Sequence, residues 1–316
     1  MKTIRLTHPH PYVLEDFSPM VMALGYFDGV HRGHQKVIQT AIKLAGEKNM
    51  KSAVMTFDPH PSVVLGKQAS KMHYITPLHV KEQIMMEMGV DLLFIVEFTK
   101  EFASLLPQQF VDNYIIGLNV HHVVAGFDFT YGKLGKGTME TMPFHSRNQF
   151  TQTVVEKQTD HDRKISSTLI RKVLQSGDVA YAKHLLGRPH ETTGTVVHGD
   201  KRGRTIGFPT ANIDVKNEYF IPPTGVYAVT VEVEGERYEG VCNIGYKPTF
   251  HQEKKVLPSV EVHIFHFDQQ IYGKTVTIKW HKRIRSEQKF ESVQALINQI
   301  EQDKRSAEQF FEENKD

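Results

Sequence analysis

A doubly wound parallel α/β sheet of the Rossmann-like kind, followed by a small antiparallel β-barrel with a C-terminal helix, is the fold this sequence predicts. Three observations predict it. Up to about residue 181, short β-rich apolar runs alternate with longer stretches of helical period. Beyond residue 190, short strands separated by turns replace that alternation. From Glu287 onward, one apolar face recurs at helical spacing.

The runs 21–24, 52–57, 92–96 and 122–125 read as strands. Between them, 33–47, 78–88 and 107–116 are long enough for right-handed crossover helices. Ligands of such a sheet sit beyond the strand C-termini. After Leu185-Leu186-Gly187-Arg188-Pro189, strands are expected at 192–198, 226–234, 237–241, 260–267 and 275–280. Glu234-Gly235-Glu236 fits a hairpin turn, because glycine tolerates positive φ. Phe290, Val293, Leu296, Ile297 and Ile300 predict a helix face packed on the barrel. The change of pattern near 185–190 divides the chain into domains 1–186 and 187–316.

Hydrophobic residues make up 40% and charged residues 23%, which fits a folded protein and argues against disorder. Lys and Arg total 38 against 36 acidic residues, so no general pull toward nucleic acid or anionic membrane is expected. Cys242 is the only cysteine, which excludes an internal disulfide and a multi-cysteine zinc site. The N-terminus runs into His and Pro rather than an apolar stretch, so no secretory signal is read and a cytoplasmic protein is expected. Apolar runs are too short to span a bilayer, and the sequence leaves the oligomeric state open.

Chemistry concentrates at strand ends. The first run leads into Gly25-Tyr26-Phe27-Asp28-Gly29-Val30-His31-Arg32-Gly33-His34 and then a helix. Helix N-terminal N–H groups favour an anion, and the glycines allow close approach of backbone and ligand. His31 and His34, three residues apart, can face one side of the turn and stabilise charge on a departing pyrophosphate. Lys164-Ile165-Ser166-Ser167-Thr168-Leu169-Ile170-Arg171 places hydroxyls ahead of a helix, with Ser167 or Thr168 as its N-cap and a guanidinium close behind.

The second half lacks a Walker phosphate loop but has its own glycine-rich stretch. It reads His198-Gly199-Asp200-Lys201-Arg202-Gly203-Arg204-Thr205-Ile206-Gly207-Phe208-Pro209-Thr210-Ala211-Asn212. Its glycines can wrap N–H groups around phosphate, and Thr210 with Asn212 offers oxygen ligands to Mg²⁺. Glu261 shares a strand face with His263 and Phe265 by the two-residue period.

These motifs resemble those of the bacterial bifunctional riboflavin kinase/FMN adenylyltransferases, also called FAD synthetases. The stretch from Gly25 to His34 resembles the first signature of their nucleotidyltransferase domain. Thr56-Phe57-Asp58-Pro59-His60-Pro61 resembles the second, and Gly126-Phe127-Asp128-Phe129-Thr130-Tyr131-Gly132-Lys133 the third. Gly194-x-Val196 with His198-Gly199, then 204–212, resembles the riboflavin kinase signature. Asn243-Ile244-Gly245-Tyr246-Lys247-Pro248-Thr249-Phe250 and Tyr272-Gly273-Lys274 continue it.

The resemblance implies a chain that phosphorylates riboflavin to FMN and adenylylates FMN to FAD, with ATP as co-substrate of both steps and Mg²⁺ as cofactor. It implies that Gly25, Phe27, Asp28, Gly33, Ser166, Ser167 and Thr168 bind ATP phosphates beside His31, His34 and Arg171. Asp58, His60, Asp128 and Phe129 would line the flavin pocket. Gly199, Lys201, Gly203, Arg204 and Gly207 would hold ATP in the kinase domain, with Glu261 as the base. Residues 142–152 match no motif. A related cytidylyl- or pantetheine-phosphate adenylyltransferase shares the His-x-Gly-His turn, but the second domain speaks against it. A silent flavin or nucleotide sensor is opposed by the intact polar set.

Overall fold

The computed structural model describes residues 1–66, 72–199, 202–246 and 258–315. Lys201 and the expected motif positions 247–250 lie outside the described residues. The chain forms two compact units, Met1–Ser167 and Thr168–Asp316.

The first unit carries β1 (Lys2–Leu6), β2 (Met20–Leu24), β3 (Lys51–Asp58), β4 (Leu92–Glu97) and β5 (Val120–Gly126). A short ribbon, β6 (Thr130–Tyr131) with β7 (Gly137–Thr138), precedes β8 (Thr151–Val155). A second ribbon, β9 (Thr159–Asp160) with β10 (Arg163–Lys164), follows. The six long strands pair in the order β1-β4-β3-β2-β5-β8, parallel throughout. From β2 the chain steps to β3 on one side and later returns to β5 on the other. The C-terminal ends of β2 and β5 therefore flank the switch point where such sheets bind ligands.

The interleaved helices are α1 (Arg32–Glu47), α2 (Pro61–Leu65), α3 (Leu78–Glu87), α4 (Lys100–Ala103), α5 (Pro107–Tyr114) and α6 (Met142–Ser146). Alternate strand residues face opposite layers. Val21, Ala23 and Val54 pack under Ile38 and Ala41 of α1, whereas Met22, Leu24 and Met55 join Phe102 of α4 and Phe110 of α5. Full burial of each larger apolar side chain contributes about 2 kcal/mol. Strands β1 and β8 were not expected. Both are edge strands with exposed Lys and Thr positions, so neither shows a continuous apolar run.

Helix α7 (Ser167–Ser176) begins at the last residue of the first unit, and α8 (Val179–Leu186) ends at Gly187, whose φ is 74°. The expected N-cap at Ser167 or Thr168 is thus corrected, since both lie within the first turn of α7. Then come β11 (His190–Val197), α9 (Arg202–Thr205), β12 (Ala211–Val215), β13 (Gly225–Val233), β14 (Glu236–Gly245), β15 (Ser259–Ile264), β16 (Thr275–Arg285) and α10 (Val293–Glu313). The strands close a barrel in the order β11-β12-β15-β14-β13-β16, sealed where His190 pairs with Trp280 and Thr195 with Thr275. The β13–β14 hairpin turns through Glu234 at φ 53° and Gly235 at φ 85°, the two left-handed positions such a tight connection requires.

Helix α10 packs on β13 and β14 by the expected stripe, but at later turns than expected. Val293 is 65% exposed, and the buried positions are Asp303, Ala307 and Phe311, spaced by one turn. Phe311 and Ala307 meet Val226, Ala228 and Val241 of the barrel. Beside them Asp303, only 4% exposed, accepts from Arg285 Nε at 2.8 Å and from Nη2 at 2.7 Å. Removing one partner leaves a buried charge uncompensated. Asp303→Ala is therefore expected to destabilise this unit by about 3 kcal/mol. Trp280, the only tryptophan and fully buried in the barrel, reports the loss as an earlier urea midpoint in fluorescence. An unchanged midpoint would show that the pair adds nothing net.

Candidate functional site

The chain leaves β2 through a turn in which Phe27, Gly29 and Val30 have φ values of 57°, 89° and 38°. Phe27 and Val30 are bulky residues in a region that favours glycine, and burial holds them there. Gly25 is dictated by space: a Cβ would lie 2.7 Å from the Phe27 ring. A Cβ on Gly33 would stand 3.2 Å from the His31 ring.

His31 is the N-cap of α1, and its Nδ1 accepts from the His34 backbone N–H at 3.3 Å. With Nδ1 an acceptor, the neutral ring carries its proton on Nε2. The His31 and His34 rings stack at 3.6 Å with 18° between planes, and Phe27 meets His34 edge-on at 5.3 Å. The structure thus brings together the two imidazoles that the spacing suggested.

Asp28 is buried, and its Oδ1 accepts from the Thr76 N–H at 3.1 Å. Its carbonyl accepts from Ser167 Oγ at 2.8 Å, so the hydroxyl segment and the first turn meet within one unit. Ser166 is half-buried just before α7, and Thr168 is exposed. Arg171 belongs to the second unit, where its guanidinium lies over the Phe220 ring at 5.8 Å.

Asp58 closes β3, and His60 caps α2: its Nδ1 accepts from the Ser62 N–H at 3.1 Å, and its ring stands edge-on to Tyr26 at 4.3 Å. Beyond β5, Asp128 is exposed and pairs with Lys164, whose amine also lies 4.6 Å over the exposed Phe127 ring. Phe129 stacks on Tyr131 at 6.2 Å. The unassigned stretch 142–152 supplies α6 and the start of β8.

Sequence reasoning missed Lys81. It lies on α3, is 3% exposed, and its Nζ donates to the Tyr26 carbonyl at 2.8 Å and to Thr56 Oγ1 at 3.2 Å. Burial pushes this amine down to about 8, against the upward pull of the Asp28 and Asp58 carboxylates. The signal was present: Lys81 lies one turn from Leu78 and from Met85, within the apolar stripe of its helix.

In the barrel, Glu261 sits on β15 directly between Asn212 on β12 and Asn243 on β14. Registered partners share a sheet face, so one carboxylate stands between two carboxamides. Asn243 lies in the downstream motif, and only the sheet register reveals its place beside Glu261. A Cβ on Gly199 would collide with the Asn212 carboxamide, and one on Gly203 would collide with the Phe208 carbonyl and stand 3.5 Å from Thr210 Oγ1. These two glycines thus lie tight against Asn212 and against Phe208 and Thr210, respectively. His263 holds the Pro209 carbonyl at 2.8 Å from Nδ1, and His198 stacks on Tyr272 at 4.1 Å. Gly207 takes φ 89°, and Arg204 is exposed.

Comparison with known proteins bears on both units. The family model for FAD synthetase matches residues 14–169, and that for riboflavin kinase matches 186–311. A bifunctional riboflavin kinase/FMN adenylyltransferase of Bacillus subtilis is 57% identical over 98% of each chain. Its counterpart in Listeria monocytogenes is 49% identical, also over 98% of each chain. A crystal structure described as a macrolide-efflux protein from Streptococcus pneumoniae is 37% identical, covers 96% of this chain and 97% of its own, and has a TM-score of 0.87. The efflux description stays with that protein; among the described residues of this chain, no helix is long and apolar enough to cross a membrane. Two family matches in order, with full-length relatives at this identity, place the chain in the bifunctional riboflavin kinase/FMN adenylyltransferase family.

Proposed function

We infer that this chain converts riboflavin to FAD in two ATP-dependent steps. The observation that carries the reading is the pairing of both catalytic families in one chain, each with its expected polar residues at strand ends or in the barrel loop. Riboflavin kinase activity belongs to 187–316 and FMN adenylyltransferase activity to 1–186. This functional border follows the change of sequence pattern, although α7 and α8 cluster with the barrel by contact. Both reactions are assigned to the cytoplasm, where ATP is supplied.

In the kinase step, the ribityl 5′-hydroxyl oxygen attacks the γ-phosphorus of ATP. The bond from that phosphorus to the β-phosphate oxygen breaks, ADP leaves, and Glu261 accepts the hydroxyl proton. The Asn212 and Asn243 amides orient the carboxylate and the substrate hydroxyl. Glycines 199, 203 and 207 let backbone N–H groups approach the phosphates, with Arg204 and Lys201 adding positive charge. The Thr210 hydroxyl and the Asn212 carbonyl oxygen are hard donors that would hold Mg²⁺. When bound, the ion would neutralise phosphate charge.

In the adenylyl transfer, an FMN phosphate oxygen attacks the α-phosphorus of ATP, and pyrophosphate departs as the α–β bridge breaks. His31 Nε2–H and the His34 ring donate to the phosphate oxygens as charge grows on the leaving group. Ser166 and Ser167 add hydroxyls to the anion cradle of the first unit, which Phe27, Gly25, Gly33 and Asp28 shape, and the family motif assigns Thr168 and Arg171 to ATP phosphate. Asp58, His60, Asp128 and Phe129 border the flavin. Incubating the full chain with riboflavin, ATP and Mg²⁺ and separating the products is expected to give FMN, then FAD, pyrophosphate and ADP. Supplied FMN should yield FAD without ADP, and chelating the metal should stop the kinase step. FMN as the sole flavin product would remove the adenylyltransferase assignment.

A further inference from the structure

We propose that Lys81 is a positioning residue for the adenylyl transfer, a buried cation on α3 that fixes the turn leaving β2 and sets positive charge behind it. The proposal rests on the adenylyltransferase reading of that turn. The Lys81 amine donates to the Tyr26 carbonyl at 2.8 Å and to Thr56 Oγ1 at 3.2 Å, and it lies 4.5 Å over the Tyr26 ring. Three elements are tied at one point: α3, the end of β3 and the turn itself. Tyr26 is followed by Phe27, where the backbone enters the left-handed region. Holding the Tyr26 carbonyl fixes the peptide plane on which that turn starts, and hence where His31 begins α1.

Folding alone does not call for this charge. Thr56 Oγ1 already donates to the Tyr26 carbonyl at 2.8 Å, so an apolar side chain at 81 would leave that acceptor satisfied. A buried amine without need for its charge is expensive, and such groups gather at functional sites. The titratable groups facing Lys81 are the Asp28 carboxylate in the turn, the Asp58 carboxylate at the end of β3 and the Tyr26 phenol. The His60 ring stands against Tyr26, and Tyr74 lies near its hydroxyl. On α3 itself, Glu82 pairs with Arg5. Burial, then Tyr74 and Asp28, push the Tyr26 phenol far above its ordinary range, so it stays protonated while Lys81 titrates.

The sign of the pH effect separates positioning from stability. Lys81 has a folded value of about 8, below the roughly 10.4 of an unfolded lysine. Between these values the unfolded chain binds more protons, so this group's contribution to stability rises with pH. Adenylyl transfer should instead fall as pH passes through about 8, because the positioning charge is lost.

The test uses the full chain with FMN, ATP and Mg²⁺ between pH 7 and 9.5, and riboflavin phosphorylation by the same chain as internal control. The parent is expected to lose FAD formation along a limb near pH 8 that the kinase does not share. Lys81→Met should lower FAD formation at pH 7, by up to about 10²-fold if the geometry shifts by about 1 Å. Its kinase rate and circular dichroism should be unchanged. Lys81→Arg stays charged throughout and should flatten the alkaline limb. If Arg does not fit, the parent profile and Lys81→Met still decide. Parent-like FAD formation by Lys81→Met, or an alkaline limb shared by the kinase, overturns the proposal. A parent chain that makes no FAD at all overturns the underlying reading instead.

Discussion

Glu261→Gln is expected to lower riboflavin phosphorylation by about 10²- to 10⁴-fold, or roughly 3 to 5 kcal/mol of barrier, while leaving FAD formation from supplied FMN intact. Glutamine keeps the side-chain length and the place between Asn212 and Asn243 in the sheet register. It cannot take up a proton at neutral pH. The loss should therefore appear in kcat, with riboflavin and ATP still binding. Steady-state kinetics of the kinase step, with FMN adenylylation measured on the same preparation, checks it. Normal turnover by the variant would make Glu261 a solvated strand carboxylate, and the base would have to be sought elsewhere.

The second large effect lies in the other unit. His31→Ala and His34→Ala should each lower FAD formation by on the order of 10²- to 10³-fold, so that riboflavin is converted only as far as FMN. His31 also caps α1 through its Nδ1, and losing a cap costs about 1 kcal/mol. His31→Asn separates the two roles, because the Asn oxygen can accept the His34 N–H but offers no imidazole donor. FAD formation should fall as in His31→Ala while thermal stability stays near that of the parent. A double His31→Ala, His34→Ala chain that makes FAD at the parent rate would sink the assignment.

The first domain was legible because its central strands are buried on two sides and read as largely apolar runs, as at 52–57 and 92–96, whereas the barrel showed itself in short strands of alternating burial separated by turns. The edge strands β1 and β8 and the short β12 escaped, since half of each faces away from a core and carries polar residues. The apolar positions at the start of α10 misled for a related reason. Spacing identifies a stripe but not the turn at which the helix meets its partner, and here the contact lies at Ala307 and Phe311. The site divides the same way. His31, His34 and Glu261 lie in local patterns that a sequence displays. Asn243 beside Glu261 depends on sheet register, and Lys81 beneath Tyr26 depends on a crossover helix, so neither neighbourhood is written in adjacent residues.

The barrel seam between β11 and β16 also sets an order of events in time. The β13–β14 hairpin joins neighbours across a two-residue turn and can form within microseconds of its emergence. The seam must wait for Trp280 to reach His190, which lies 90 residues earlier in the chain. At about 5 to 20 residues per second, a ribosome exposes the unsealed rims of β11 for several seconds before their partner strand is made. The first unit, complete long before then, can fold ahead of it, and the vulnerable interval in the life of this chain belongs to the open barrel.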